Sequence, residues 1–168
     1  MKVEVKRHYL EIKSLKDLKE GSEPSDEYSL NLIDPIDFQI NKFFYKNIGK
    51  NHKWLDRLIW VSEEKWINYV SDEKTQTYVF KYRGELAGFF ELIFHSETHE
   101  TEIAYFGLLE EYQNKKLGSF LLSEAIKKSF KYKTIRVWLH TCSLDHRNAL
   151  NNYLSRGMKI FKTEILNI

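Results

Sequence analysis

The chain has 168 residues, 42% of them hydrophobic and 15% aromatic, enough for a buried core and too apolar for a disordered segment. Its formal net charge of +2 is too near balance to argue for a nucleic-acid partner. A single cysteine, Cys142, rules out an internal disulfide and suits a reducing, cytoplasmic setting. Lysine and glutamate stud the N-terminus where a signal peptide would be apolar, and no run is apolar enough for a bilayer span, so neither a leader nor a membrane partner is expected. Without repeats or low-complexity tracts, residues 1–168 read as one domain.

Val3, Val5, Tyr9 and Ile12 partly alternate with charges and predict a first strand within residues 1–15. Residues 16–31 are polar, hold Gly21 and Pro24, and read as loop. Asp34-Pro35 predicts a helix start, because Asp caps and Pro suits the first helical position. Phe38, Ile40, Phe43, Phe44 and Ile48 form its stripe, and Gly49 its end. The segment 51–60 brings Trp54, Leu55, Leu58, Ile59 and Trp60, and Ser62 with Glu63 and Glu64 opens a short helix to about Val70. Residues 75–82 and 86–95 pair as a hairpin around Arg83-Gly84. After a polar turn a third strand follows from Thr101, so three strands run antiparallel.

The stretch Glu110 to Lys115 is polar and ends that third strand. From Lys116 the spacing becomes helical, with Leu117, Leu121 and Ala125 on one line and Leu122, Ile126 and Phe130 on the next. Residues 134–141 predict a strand placed parallel by the crossover. Asp145 suits a cap for a helix through Ser155, Gly157 ends it, and 159–166 forms a last strand. A strand that runs straight into a helix leaves backbone N–H groups of the first turn unpaired, with the helix dipole behind them. That corner is a ready site for a phosphate, although a plain strand-to-helix turn would read the same.

Gln113-Asn114-Lys115-Lys116-Leu117-Gly118 resembles the Gln/Arg-x-x-Gly-x-Gly/Ala motif of the GCN5-related N-acetyltransferases, the GNAT superfamily, with Lys116 where the family usually has glycine. The order of elements is also similar. The resemblance implies an α/β GNAT-type fold: a mixed central sheet of about six to seven strands with a splayed parallel pair, flanked by about four helices. It implies acetyl-CoA as co-substrate. Phe106 and Leu108 would then meet the pantetheine arm, and the amides of Gln113, Asn114, Lys115, Lys116, Leu117, Gly118 and Ser119 would face the phosphates. Lys116 either takes a glycine-like positive φ, at about 1 kcal/mol or more, or keeps an ordinary φ and offers its ammonium to a phosphate.

Acetyl transfer to an amine needs a base, since neutralising a lysine-like ammonium at pH 7 costs roughly 4–5 kcal/mol. Strand alternation puts Glu102 on one face with Ala104, Phe106 and Leu108. Glu102-Ile103-Ala104-Tyr105-Phe106 resembles the strand of histone-acetyltransferase members whose glutamate is the general base, so Glu102 is the candidate base. A strand-end carboxylate in water or paired with a lysine is the alternative. Ala149 to Met158 resembles the family pattern Ala-x-x-x-Tyr-x-x-x-Gly-Phe, which makes Tyr153 the candidate acid at the departing sulfur, against a core tyrosine. Asn148 meets either the pantetheine arm or solvent.

The run His140-Thr141-Cys142-Ser143-Leu144-Asp145-His146 is similar to one in uncharacterised bacterial members. Cys142 has no His/Asn partner at a suggestive spacing and reads as a small buried residue. His140 faces either the cleft or the core. His140, Cys142 and His146 lack a further ligand pair, so no metal is expected. Trp54, Trp60, Phe43, Phe44 and Tyr45 read as core and pocket wall together. With Glu91 or Glu102 they would suit a cationic amine, and a pocket lined by Lys or Arg would count against that. The expectation is transfer from acetyl-CoA to a primary amine, a small molecule, by direct attack in a ternary complex. The alternatives are a protein or peptide N-acetyltransferase and a non-catalytic acyl-CoA-binding domain. No nucleic-acid partner is expected, and a homodimer is left open.

Overall fold

The structure, a computed structural model, describes residues 3–49, 62–131 and 133–167; the aromatic segment 51–60, with Trp54 and Trp60, lies outside them. Along the chain run β1 (Glu4–Ile12), β2 (Tyr28–Leu32), α1 (Phe38–Gly49), α2 (Glu63–Ser71), β3 (Thr75–Tyr82), β4 (Glu85–His95) and β5 (Glu100–Leu108). There follow α3 (Leu117–Ser129), β6 (Arg136–Cys142), α4 (Ala149–Ser155) and β7 (Lys159–Asn167). Seven strands form one sheet in the order β2-β3-β4-β5-β6-β1-β7. All neighbours are antiparallel except β5 and β6. This is the mixed sheet with a parallel pair expected of the GNAT fold, with four helices among the described residues.

Three local expectations are corrected. The stretch read as loop contains β2, a short edge strand whose Tyr28 and Leu30 pair with Tyr82 and Phe80. Its two-residue period is too brief to stand out beside glycine and proline. Helix α1 starts at Phe38 rather than at Asp34, with the Asp37 carboxylate accepting from the Gln39 N–H at 3.1 Å. Helix α4 is also shorter than expected. Asp145 does not cap it, because its carboxylate accepts instead from the Thr141 hydroxyl and, at 3.1 Å, the Cys142 N–H.

Helices α3 and α4 cover one face of the sheet. Their core joins Leu121, Leu122 and Ile126 to Phe90, Ile103 and Leu139. Helices α1 and α2 cover part of the other face, where Phe44, Tyr45 and Trp66 pack on Val79 and Phe89. Into this second core β4 sends Glu91, 0% exposed. Its carboxylate accepts from Asn41 Nδ2 at 2.5 Å, Tyr45 Oη at 2.7 Å and Tyr69 Oη at 3.2 Å. These donors offset the desolvation of the carboxyl group and tie both helices to the sheet.

Two irregularities in β5 position the site. Tyr105 pairs with Glu91 and Ile103 with Leu92, so Ala104 is an extra residue, a bulge. Cross-strand partners share a face. Glu102, opposite Ile93, and Tyr105, opposite Glu91, therefore lie on the α1/α2 face, while Ile103, Phe106 and Leu108 lie on the α3/α4 face. The expected sharing of one face by Glu102, Phe106 and Leu108 is thus overturned, since one inserted residue reverses the alternation. Secondly, β5 and β6 pair only from Glu100–Arg136 to Glu102–Trp138 and then part.

The C-terminus of α4 sets a stability test. Gly157 has φ 103°, its N–H bonds Leu154 O at 3.1 Å, and Met158 N bonds Tyr153 O at 3.1 Å. A Cβ at this position would overlap the Asp17 carbonyl oxygen. Gly157→Ala is expected to lower the unfolding free energy by more than about 2 kcal/mol. Gly84→Ala, at φ 79° in open space, costs about 1 kcal/mol. Urea midpoints of the two variants check the difference.

Candidate active site

A cavity of about 680 Å³ fills the gap where β5 and β6 part, within the usual size for a small-molecule site. Of the residues singled out in the sequence, Glu102, Phe106, Leu108, Asn148 and Tyr153 line it. Gln113, Asn114, Lys116, Gly118 and Ser119 line its corner. Lys115 and Leu117 do not: the Lys115 ammonium lies 5.9 Å from the Tyr112 ring centroid, and the Leu117 side chain is buried in the core. Only their backbone groups could meet a ligand.

The corner is built by two left-handed residues, Asn114 at φ 61° and Lys116 at φ 63°. Of the two conformations open to Lys116, the chain takes the glycine-like one. Lys116 is also the residue before the first turn of α3 and makes no side-chain cap, so the first-turn N–H groups remain for another acceptor. Gln113 Nε2 donates to Leu108 O at 3.3 Å, fastening the corner to the end of β5. Asn152 Nδ2 donates to Gly118 O at 3.2 Å, fastening α4 to α3. Beyond Glu102, β5 has no strand partner on its β6 side among the described residues, so a backbone edge faces the gap.

The two candidate catalytic groups stand on opposite faces of the sheet. Tyr153 is buried, with its ring edge-on to Phe106 at 6.4 Å. Burial, and then the Asp145 carboxylate, hold its phenol well above the ordinary tyrosine range. Its hydroxyl has no hydrogen-bond partner among the described residues. Glu102 is half-buried, and its Oε1 lies 3.1 Å from His95 Nε2. The His95 ring stacks on Trp138 at 6.0 Å. A proton acceptor thus stands on the α1/α2 side of the gap and a protonated phenol on the α3/α4 side.

Other lining residues escaped the sequence reading. Tyr69 and Tyr105 wall the Glu102 side, with Glu91 bound behind Tyr69 rather than in the wall. Phe44 and Tyr45 belong to the core, whereas Phe43 is exposed. His140 lines the cavity, with Tyr9 5.6 Å from its ring; burial first, then the Arg7 guanidinium, lower its pKa. Burial pushes the Cys142 thiol up, away from nucleophilic use. Arg7, on β1, also lines the cavity. A lone Arg in the first strand carries no sequence signal for this, because its place depends on β1 lying beside β6. Its presence counts against a purely cationic acceptor.

The site is thus a sheet split between parallel strands, with an uncapped helix start at the corner of the split. Residues 39–158 match the acetyltransferase (GNAT) family, and the chain belongs to it. No curated protein matches the sequence. Among solved structures, a GCN5-related N-acetyltransferase from Sphaerobacter thermophilus superposes with a TM-score of 0.74 at 12% identity, over 97% of this chain and 50% of that one. One from Kribbella flavida gives 0.67 at 14%, over 95% and 56%. A tandem GNAT protein from the clavulanic acid biosynthesis pathway gives 0.65 at 11%, over 98% and 52%. At such identities these likenesses show the fold, and the chain spans about half the length of each.

The left-handed lysine gives the second test. Lys116→Gly is expected to raise the unfolding free energy by up to about 1 kcal/mol, by relieving the cost of a side chain at positive φ. A shift of the urea midpoint to higher concentration checks it.

Proposed function

We propose that the chain transfers an acetyl group from acetyl-CoA to a primary amine of a small molecule, by direct attack in a ternary complex. One observation carries this reading: the open backbone edge of β5 runs along the gap toward the uncapped start of α3. Such an edge suits the amides of a pantetheine arm, and such a helix start suits its diphosphate. Gly118 fits the group too, since even an added Cβ would meet nothing closer than Asn152 Nδ2 at 3.6 Å. No helix among the described residues is long and apolar enough to cross a membrane. The reading takes residues 1–168 as one domain working in the cytoplasm without a metal.

Acetyl-CoA supplies an activated thioester; the chain supplies position and protons. The amides from Gln113 to Ser119 hold the phosphates, and the β5 edge beside Phe106 and Leu108 aligns the arm, with Asn148 at its flank. Glu102 accepts the proton of the incoming ammonium, so that nitrogen can attack. Tyr153, uncharged because it is buried, donates its proton to the departing sulfur. With these groups on opposite faces, amine and coenzyme arrive from different sides and the proton accepted does not compete with the one given.

Coenzyme A should raise the thermal midpoint, and acetyl-CoA with a suitable amine should release free thiol; no midpoint shift would overturn the reading, and binding without release would leave only a binder. Tyr153→Phe should lower kcat by about a hundred-fold, with coenzyme A affinity held within about three-fold. An unchanged kcat removes Tyr153 from the reaction. The raised phenol pKa also fixes a sign. Tyr153 contributes stability that is complete below the unfolded value of about 10 and is lost as pH rises through the folded value. In Tyr153→Phe that alkaline loss should shrink, as unfolding midpoints above pH 10 would record.

A further inference from the structure

The guanidinium of Arg7 lines the cavity without a part in the proposed chemistry; Asp145, another charged lining group outside that chemistry, is already engaged by the Thr141 hydroxyl and the Cys142 N–H. The Arg7 side chain makes no hydrogen bond or ion pair with any described residue, and its Nε is buried without a partner. Leaving such a donor buried and unmatched costs free energy unless a ligand satisfies it. The nearest carboxylate by register is Glu164 on β7, and it is engaged elsewhere, by Lys162 Nζ at 2.8 Å and Tyr9 Oη at 3.1 Å.

Position indicates what the guanidinium could meet. Arg7 pairs with Cys142, and Glu11 on the same strand pairs with Trp138, which is itself level with Glu102. Odd-numbered residues of β1 share a face with Trp138 and His140, as the Tyr9–His140 contact also shows. Arg7 therefore lies on the Glu102 side of the sheet, across it from α3 and the diphosphate corner. Two strands and four residues separate Arg7 from Glu102, roughly 16 Å between Cα atoms at ordinary sheet spacings. Two long side chains reaching along one face cut that to a few ångströms.

We propose that Arg7 binds an anionic group of the acceptor, so that the substrate is an amine that also carries a carboxylate several bonds from its nitrogen, as in an amino acid. This rests on the acetyl-transfer reading above. Glu102 then takes the ammonium end, Arg7 takes the carboxylate in a forked pair of hydrogen bonds, and His140 lies between them. The pair also selects: a polyamine would put a second cation against Arg7, and a simple alkylamine would leave Arg7 unsatisfied.

The test measures free-thiol release from acetyl-CoA in three arms: straight-chain amino acids with graded spacing between amine and carboxylate, their carboxamides, and amine phosphates of matched spacing. In the wild type the best acid should exceed its carboxamide in kcat/KM by about ten-fold or more. Arg7→Gln should bring that ratio near one while still binding coenzyme A, and Arg7→Lys should restore part of it. If Arg7→Gln no longer binds coenzyme A, the ratio in Arg7→Lys decides: a value below the wild type's supports the site, an equal value overturns it. A preference for the phosphate arm that Arg7→Gln abolishes supports the anion site with phosphate as the group. Release from acids and carboxamides at equal rates, without gain in the phosphate arm, overturns this inference alone, as does a preference that survives Arg7→Gln. No release in any arm overturns the transfer reading and this inference with it.

Discussion

The site depends on two parallel strands staying together for three residue pairs and no further. Where β5 and β6 meet, the structure is pinned several times over. Thr101 shares a 2.7 Å hydrogen bond with Thr134 and donates to Ser129 O at 3.2 Å. Arg136 reaches Glu100 at 2.9 Å and Glu11 at 3.3 Å, joining β5, β6 and β1. Past Trp138 nothing comparable bridges the strands among the described residues, and the backbone groups of β5 are left facing a gap. In a closed sheet those groups would be paired and inert. Here the closed end fixes where the sheet opens, and the cavity lies in that opening.

The bulge at Ala104 gives the gap its two-sided character. A regular strand would send Glu102, Phe106 and Leu108 to one side. The extra residue leaves Glu102 with Tyr105 beneath α1 and α2, and Phe106 with Tyr153 beneath α3 and α4. Each side has its own support. Around Tyr105 it is the Glu91 carboxylate with its Asn41, Tyr45 and Tyr69 donors. Around Tyr153 it is the apolar cluster and the Asn152–Gly118 link. The two candidate groups thereby stand in separate surroundings, Tyr153 in the apolar cluster and Glu102 beside His95.

Much of this was legible in the residues. The hairpin around Arg83-Gly84, the apolar lines of α3 and the glycine that ends α4 are local facts, set by turn chemistry and helical period. The corner at Gln113–Ser119 was legible for the same reason, because a strand giving way to a helix is written in consecutive residues. Tyr153 was singled out by the resemblance of Ala149 to Met158 to a family pattern, and the structure places it in the cavity wall. Lys116 posed a question that spacing could not answer; the backbone settled it at φ 63°.

What the sequence determined by itself, then, was most of the elements taken singly, with β2 and the bounds of α1 and α4 excepted, and the turn carried by one continuous stretch. Tertiary structure decided what depends on partners far apart in the chain. The face on which Glu102 stands is fixed by its register against β4, where a bulge of one residue outweighs any alternation read from β5. The place of Arg7 is fixed by β1 lying between β6 and β7, strands more than a hundred residues away in the chain. Local periodicity records which side chains share a surface. It carries no record of which surface another strand will bring beside them, because that choice is made by burial of the whole sheet rather than by neighbours in sequence.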